Sequence, residues 1–297
     1  MSTPATPRRI LLATDLSSRS DRALDRAVRL AREWDARLVA LTVVEPEPAE
    51  APTSVLSRAS GLSSGAARRA MVEQRLRADL AGEDADLPLV PRVEQGPVAD
   101  TVLTMATAEG SGLIVTGVAR NGALSRVVLG STVDALARRA PVPLLVVRNR
   151  PRAAYRHVVV ASDLSAASRH TLRTAAALFP QAELTLFHAF DNPYPAIGGV
   201  DTTRVRADGL AQAEREAEAF IQSCELPGDV GLRLRTWLEH GDTGLLLHAH
   251  GQAHPADLVV LGTQQRRGVL GLLLGSVAQR VLEMAENDVL VVPPEAA

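Results

Sequence analysis

A single cysteine, Cys224, stands in a chain of 297 residues. No intramolecular disulfide is available, and a reducing compartment fits this usage, so a cytoplasmic protein is expected. The N-terminal stretch MSTPATPRRILLATD lacks the apolar core of a signal peptide, and no run approaches the ~18 apolar residues of a membrane span. A membrane is therefore not an expected partner. Charge of one sign is also missing: 32 basic residues face 34 acidic ones, for a net charge of -2. That balance removes the electrostatic pull toward nucleic acid or an anionic surface.

Signals of catalysis are equally sparse. There is no lysine of a P-loop, no evident catalytic base and no Ser-His-Asp or Cys-His order that recurs, so neither phosphoryl transfer nor nucleophilic catalysis has positive support. The segment HAHGQAH places His248, His250 and His254 together. No cysteine or carboxylate at ligand spacing completes a site, and Gly251 is expected to end the helix, so no metal centre is predicted. His188, on an apparent strand, reads as a packed core histidine, and Cys224 as a buried, inert thiol.

What the chain does contain is apolar residue, 46% of it, with 22% charged, enough to build real cores. Its length suits two domains of ordinary size. Self-comparison shows how they arise. ILLATDLS (Ile10 to Ser17) is answered by VVVASDLS (Val158 to Ser165), and Asp15 and Asp163 lie 148 residues apart. Later the offset is 145, holding for Gly96 and Gly241, Gly117 and Gly262, and Gly130 and Gly275. So steady a register is duplication, with domains expected at residues 1–149 and 150–297.

Each half alternates short apolar strands with amphipathic helices. The first carries ILLA, RLVALTVV, LPLVPRVEQ, GLIVTG and PLLVV; the second carries HVVVA, ELTLFHAF, LRLRTWLEH, DLVVLG and DVLVV. Runs this apolar suit parallel strands covered on both faces. Ala23, Leu24, Ala27, Val28, Ala31 and Trp34 share one helical face, capped from among Ser17, Ser18 and Ser20. The predicted class is α/β, two tandem doubly wound parallel sheets, with ligands at the carboxyl ends of the strands. Glu45 to Gly65 reads as an excursion without periodicity, and Arg148 to Arg156 as the linker.

Both halves close on a similar loop. GVARNGALSRVVLGS (Gly117 to Ser131) and GTQQRRGVLGLLLGS (Gly262 to Ser276) each end in Leu-Gly-Ser before a helix. A helix opening on Gly-Ser presents unpaired N–H groups at the positive end of its dipole, where an anion can sit. Gly130 and Gly275 are also what a tight strand-to-helix loop needs on structural grounds alone. Likewise Asp15 and Asp163, just after a strand and before a helix, suit either a hydrogen bond to a ligand or a local cap.

Together these residues resemble the universal stress protein family, as a tandem two-domain, UspA-like member, over nearly all of both halves. The family loop reads Gly, two residues, Gly, nine residues, Gly, then Ser or Thr. The resemblance implies five-stranded sheets of order 3-2-1-4-5, like those of adenine nucleotide alpha hydrolases, joined as an internal pseudo-dimer, and the apolar terminal strands PLLVV and DVLVV are the expected contact, since an unpaired apolar edge invites association. Further homodimerisation is left open. It implies an adenine-nucleotide site, with ATP as candidate ligand and magnesium only as its companion. In the first half the matching positions are Thr14, Asp15, Val43, Gly117, Gly130 and Ser131; in the second they are Asp163, Ala189, Gly262, Gly275 and Ser276. Arg120 and Gln265 stand where the family has its second Gly, and a side chain there costs ~1 kcal/mol or more wherever positive φ is required. The Arg120 guanidinium offers phosphate a compensating partner, which makes the first half the better expected site. The implied role is a stress-response signalling module that works with protein partners, not catalysis. The alternative is a nucleotide-using enzyme on the same scaffold.

Overall fold

The computed structural model describes residues 6–18, 20–46, 64–83, 86–118, 130–190, 202–253, 256–263 and 274–295. The chain divides into two compact units, one running from Pro7 to Ala154 and one from Tyr155 onward.

The first unit runs β1 (Arg9–Ala13), α1 (Asp21–Glu33), β2 (Arg37–Val44), α2 (Ser64–Asp79), β3 (Leu89–Gln95), α3 (Val98–Ala108), β4 (Leu113–Gly117), α4 (Ser131–Arg139) and β5 (Leu144–Val147). Its strands pair in parallel in the order β3-β2-β1-β4-β5. Ile10, Leu11 and Leu12 are consecutive and all fully buried. Neighbouring side chains on a strand point to opposite faces, so both faces of the sheet are covered.

The second unit repeats the plan with β6 (His157–Ala161), α5 (Ala166–Leu178), β7 (Glu183–Phe190), α6 (Thr202–Ser223), α7 (Gly228–Arg233), β8 (Leu234–His240), α8 (Thr243–Ala253), β9 (Leu258–Gly262), α9 (Ser276–Met284) and β10 (Asp288–Val292). Its parallel order is β8-β7-β6-β9-β10. In each unit the first strand is central and the order reverses beside it. That reversal opens a crevice at the carboxyl ends of the strands.

Two segments differ from their sequence reading. Leu232 and Arg233, expected to begin a strand, instead end α7, which starts after Pro227 and is anchored by the buried Val230. The segment read as a linker is largely held in place. Arg148 is only 3% exposed. The Arg22 guanidinium donates to the Arg148 carbonyl at 2.7 Å, and Arg26 to that of Ala153 at 2.9 Å. Tyr155 then begins the second unit, its hydroxyl donating to the buried Asp288 carboxylate at 2.6 Å. Most of the Glu45 to Gly65 excursion lies outside the described residues.

Candidate functional site

The two aspartates that follow β1 and β6 are built alike, down to individual atoms. Asp15 Oδ1 accepts from the Ser17 N–H at 3.0 Å and from the Ser20 hydroxyl at 2.6 Å. Asp163 Oδ1 accepts from the Ser165 N–H at 3.0 Å and from the Ser168 hydroxyl at 2.5 Å. Between acceptor and donors the chain turns through a leucine in left-handed conformation, Leu16 and Leu164, each at φ 58°. The N–H of each leucine donates to the preceding hydroxyl, Thr14 or Ser162. Burial alone would push both carboxyls up, but the serine hydrogen bonds more than offset it and hold them below the usual carboxylate range. Each aspartate is therefore a preformed anion that locks the strand-to-helix turn. Ser20 spends its hydroxyl on Asp15 and does not cap α1, whereas Ser165 caps α5 by accepting from the Ser168 N–H.

In the second unit this turn walls a cleft of about 290 Å³. Asp163, Ala189, Gly262, Gly275 and Ser276 all line it, so the structure brings together every second-half residue the resemblance named except Gln265. Gln265 lies outside the described residues, as does Arg120 in the first half. Gly262 is required by close approach: a Cβ there would stand 2.6 Å from Thr171 Oγ1. At the far wall the N-cap of α9 is Gly275, which is extended (φ -60°, ψ 150°) and carries no capping side chain. The first-turn N–H groups of α9 are thus left to solvent or a ligand. In the first unit Thr14 and Asp15 follow β1, Val43 lies near the end of β2 and Gly117 ends β4. Gly130 and Ser131 open α4 with the same backbone shape (φ -63°, ψ 144°).

Sequence reasoning missed His188. Read as packed core, it is half-buried and lines the cleft beside Ala189. Its Nδ1 stands 2.9 Å from the Ser162 carbonyl oxygen. A carbonyl only accepts, so Nδ1 carries the proton and Nε2 is left as an acceptor in the neutral ring. Around it the described lining is rich in hydroxyls, among them Ser162, Thr171, Thr243 and Thr263, and contains one carboxylate, Asp163, and no arginine. The chain contains no lysine at all, so a P-loop lysine is excluded outright.

The histidine cluster resolves differently. Helix α8 continues through Gly251 to Ala253, because packing against the rest of the unit outweighs glycine's ~1 kcal/mol penalty. His250 stacks on Trp237 with ring centroids 3.9 Å apart, and Trp237 packs in turn on Phe187 at 4.3 Å. His254 lies outside the described residues. Among the described residues no group of three or more metal-ligating side chains gathers. Cys224 is fully buried, and burial pushes its thiol up. Among the described residues no helix is long and apolar enough to cross a membrane.

Comparison with known proteins agrees with this duplication. The model of the universal stress protein family matches twice, at residues 6–148 and 154–293. A universal stress protein of Mycolicibacterium smegmatis is 28% identical, with 98% of each chain covered. One from Mycobacterium tuberculosis is also 28% identical, covering 98% of this chain and 99% of its own. Among solved structures, a putative universal stress protein of Pseudomonas aeruginosa superposes with a TM-score of 0.67 at 22% identity, over 97% of this chain and 94% of its own. One from Archaeoglobus fulgidus superposes at 0.64 and 17% identity, over 96% and 98%. These structures share the fold of this chain. With two copies of the family's domain in one polypeptide, the chain belongs to the universal stress protein family.

Proposed function

We propose that this protein is a cytoplasmic stress-response module that binds an adenine nucleotide in the cleft of its second unit and signals through protein partners. The observation that carries this reading is the cleft itself, open at the carboxyl ends of β6, β7 and β9 and closed by the uncapped start of α9 at Gly275 and Ser276. The free N–H groups and dipole of α9 suit phosphate. The Asp163 carboxylate, already ionised, suits a ribose hydroxyl. At about 290 Å³ the cleft falls just below the ~300–1,000 Å³ range of small-ligand sites. The ligand proposed is ATP. Magnesium would enter bound to its phosphates, since Asp163 is the one carboxylate among the described lining residues. The proposal takes the cleft of the second unit because its walls are described there, whereas Arg120, the reason to expect the better site in the first half, lies outside the described residues.

Calorimetric titration of the wild type and of Ser276→Glu with ATP tests the proposal. A glutamate in the first turn favours the helix dipole, so α9 is kept, but its charge repels phosphate. Wild type is expected to bind, and Ser276→Glu to bind at least roughly tenfold more weakly, a loss of about 1.4 kcal/mol. No heat from the wild type, or equal affinity in the variant, overturns the assignment. We infer further that ATP is held and not turned over. Multiple turnovers per minute would favour the enzyme reading instead.

A further inference from the structure

We propose that His188 reads the base edge in the second cleft, accepting a hydrogen bond at Nε2 from an exocyclic amino group and so selecting adenine over purines that carry a carbonyl at that position. The inference rests on the nucleotide reading above and adds a specificity-determining residue to it.

Three observations support the assignment. The ring is fixed in place: the Ser162 N–H donates to the Phe187 carbonyl at 2.9 Å, and the Ser162 carbonyl accepts from His188 Nδ1 at the same distance. β7 thus grips one residue of the strand end from both sides, which sets both the orientation and the tautomer of the imidazole. His188 also lies at the correct end of the cleft. Phosphate is assigned to the start of α9, which follows β9, and β6 lies between β9 and β7 in the sheet. Two strand spacings, roughly 10 Å, therefore separate the anion end from His188. A purine reaching away from phosphate arrives at β7.

The third observation is chemical. His188 contributes the one aromatic ring among the described lining residues, and Nε2 has no partner among them. Nε2 is open to the cleft, and a neutral imidazole nitrogen there can accept from an N–H donor. Adenine presents an amino group there; hypoxanthine presents a carbonyl, and two acceptors face each other. The first unit lacks this feature, because Thr42 stands at the matching strand position, 5% exposed. Base reading of this kind therefore belongs to the second unit alone.

The experiment uses the full chain in mildly alkaline buffer with ATP and ITP, which differ at position 6, an amino group against a carbonyl, and at the adjoining N1, an acceptor in adenine and an N–H in hypoxanthine. Histidine ring nitrogens are labelled and followed by NMR during each titration. His188→Thr, which installs the residue the first unit tolerates at this strand position, identifies the His188 signals. The free protein is expected to show His188 as the Nδ1–H tautomer, with its Nε2 resonance moving when ATP binds. Affinity for ATP is expected to exceed that for ITP by roughly fivefold or more, and His188→Thr to bring the two within about twofold. ATP binding without movement of the Nε2 resonance, or an ATP preference unchanged in His188→Thr, overturns the assignment while leaving the nucleotide site standing. If neither nucleotide binds, the site reading and this one fall together.

Discussion

Asp15 and Asp163 are the residues at which duplication has been copied most closely, and their geometry predicts an acid response. Each carboxyl sits below its ordinary range in the folded protein. A depressed folded pKa means that the stabilisation is fully present above the unfolded value, ~3.9 for aspartate, and is lost as pH falls through the folded value. Asp163→Asn keeps an acceptor for Ser165 and Ser168 but removes the charge that strengthens both bonds. Because Asp163 is exposed to water, a loss of only about 1 kcal/mol is expected at neutral pH. Urea unfolding of wild type and variant should show that gap at pH 7 and a narrower one near pH 3. A gap that widens toward acid would contradict the assignment. The two aspartates were legible in TDLS and SDLS, but the left-handed leucines between them were not. A leucine at positive φ costs ~1 kcal/mol or more, so no local preference announces it. His188 escaped for a different reason, since its partner Ser162 lies 26 residues away in sequence.

At the level of elements, each crossover needs its strand and helix close together, and the second unit shows how close. Thr171 on α5 is 3% exposed, and its hydroxyl stands where a side chain at Gly262, the last residue of β9, would have to go. In the first unit Ala23 occupies the position matching Thr171. Gly262→Ala should therefore cost about 1–3 kcal/mol, the usual penalty for overpacking a filled site, because a buried β-branched side chain has little freedom to retreat. Thr171→Ala opens that space, and the double variant should recover much of the loss. Thermal denaturation of the three variants as a double-mutant cycle measures this coupling; strict additivity would mean that Gly262 is there for another reason. Strand periodicity and the glycine landmarks made nearly all of these elements visible beforehand. What stayed hidden was decided by tertiary packing: α7 forms over residues with strand character, and α8 runs on past Gly251.

For the whole molecule, the question is where the polypeptide divides and what each part does alone. The internal repeat pointed to a boundary near residue 149, but the hydrogen bonds from Arg22 and Arg26 carry the first unit's hold as far as Ala153. Tyr155, fixed to Asp288, starts the second. A clean division therefore falls between Ala154 and Tyr155, and fragments 1–154 and 155–297 each keep a complete five-strand order. Within its own unit β5 pairs only with β4, and β10 only with β9. Both terminal strands are almost wholly apolar, LLVV and DVLVV. An isolated fragment would present an unpaired row of backbone N–H and C=O groups beside an apolar surface, and such an edge recruits another chain. Each fragment is expected to self-associate, with a melting temperature that rises with concentration by mass action. Sedimentation and thermal melting over a concentration series test this. Two fragments that remain monomeric and unfold cooperatively at high concentration would show that neither terminal strand requires a partner.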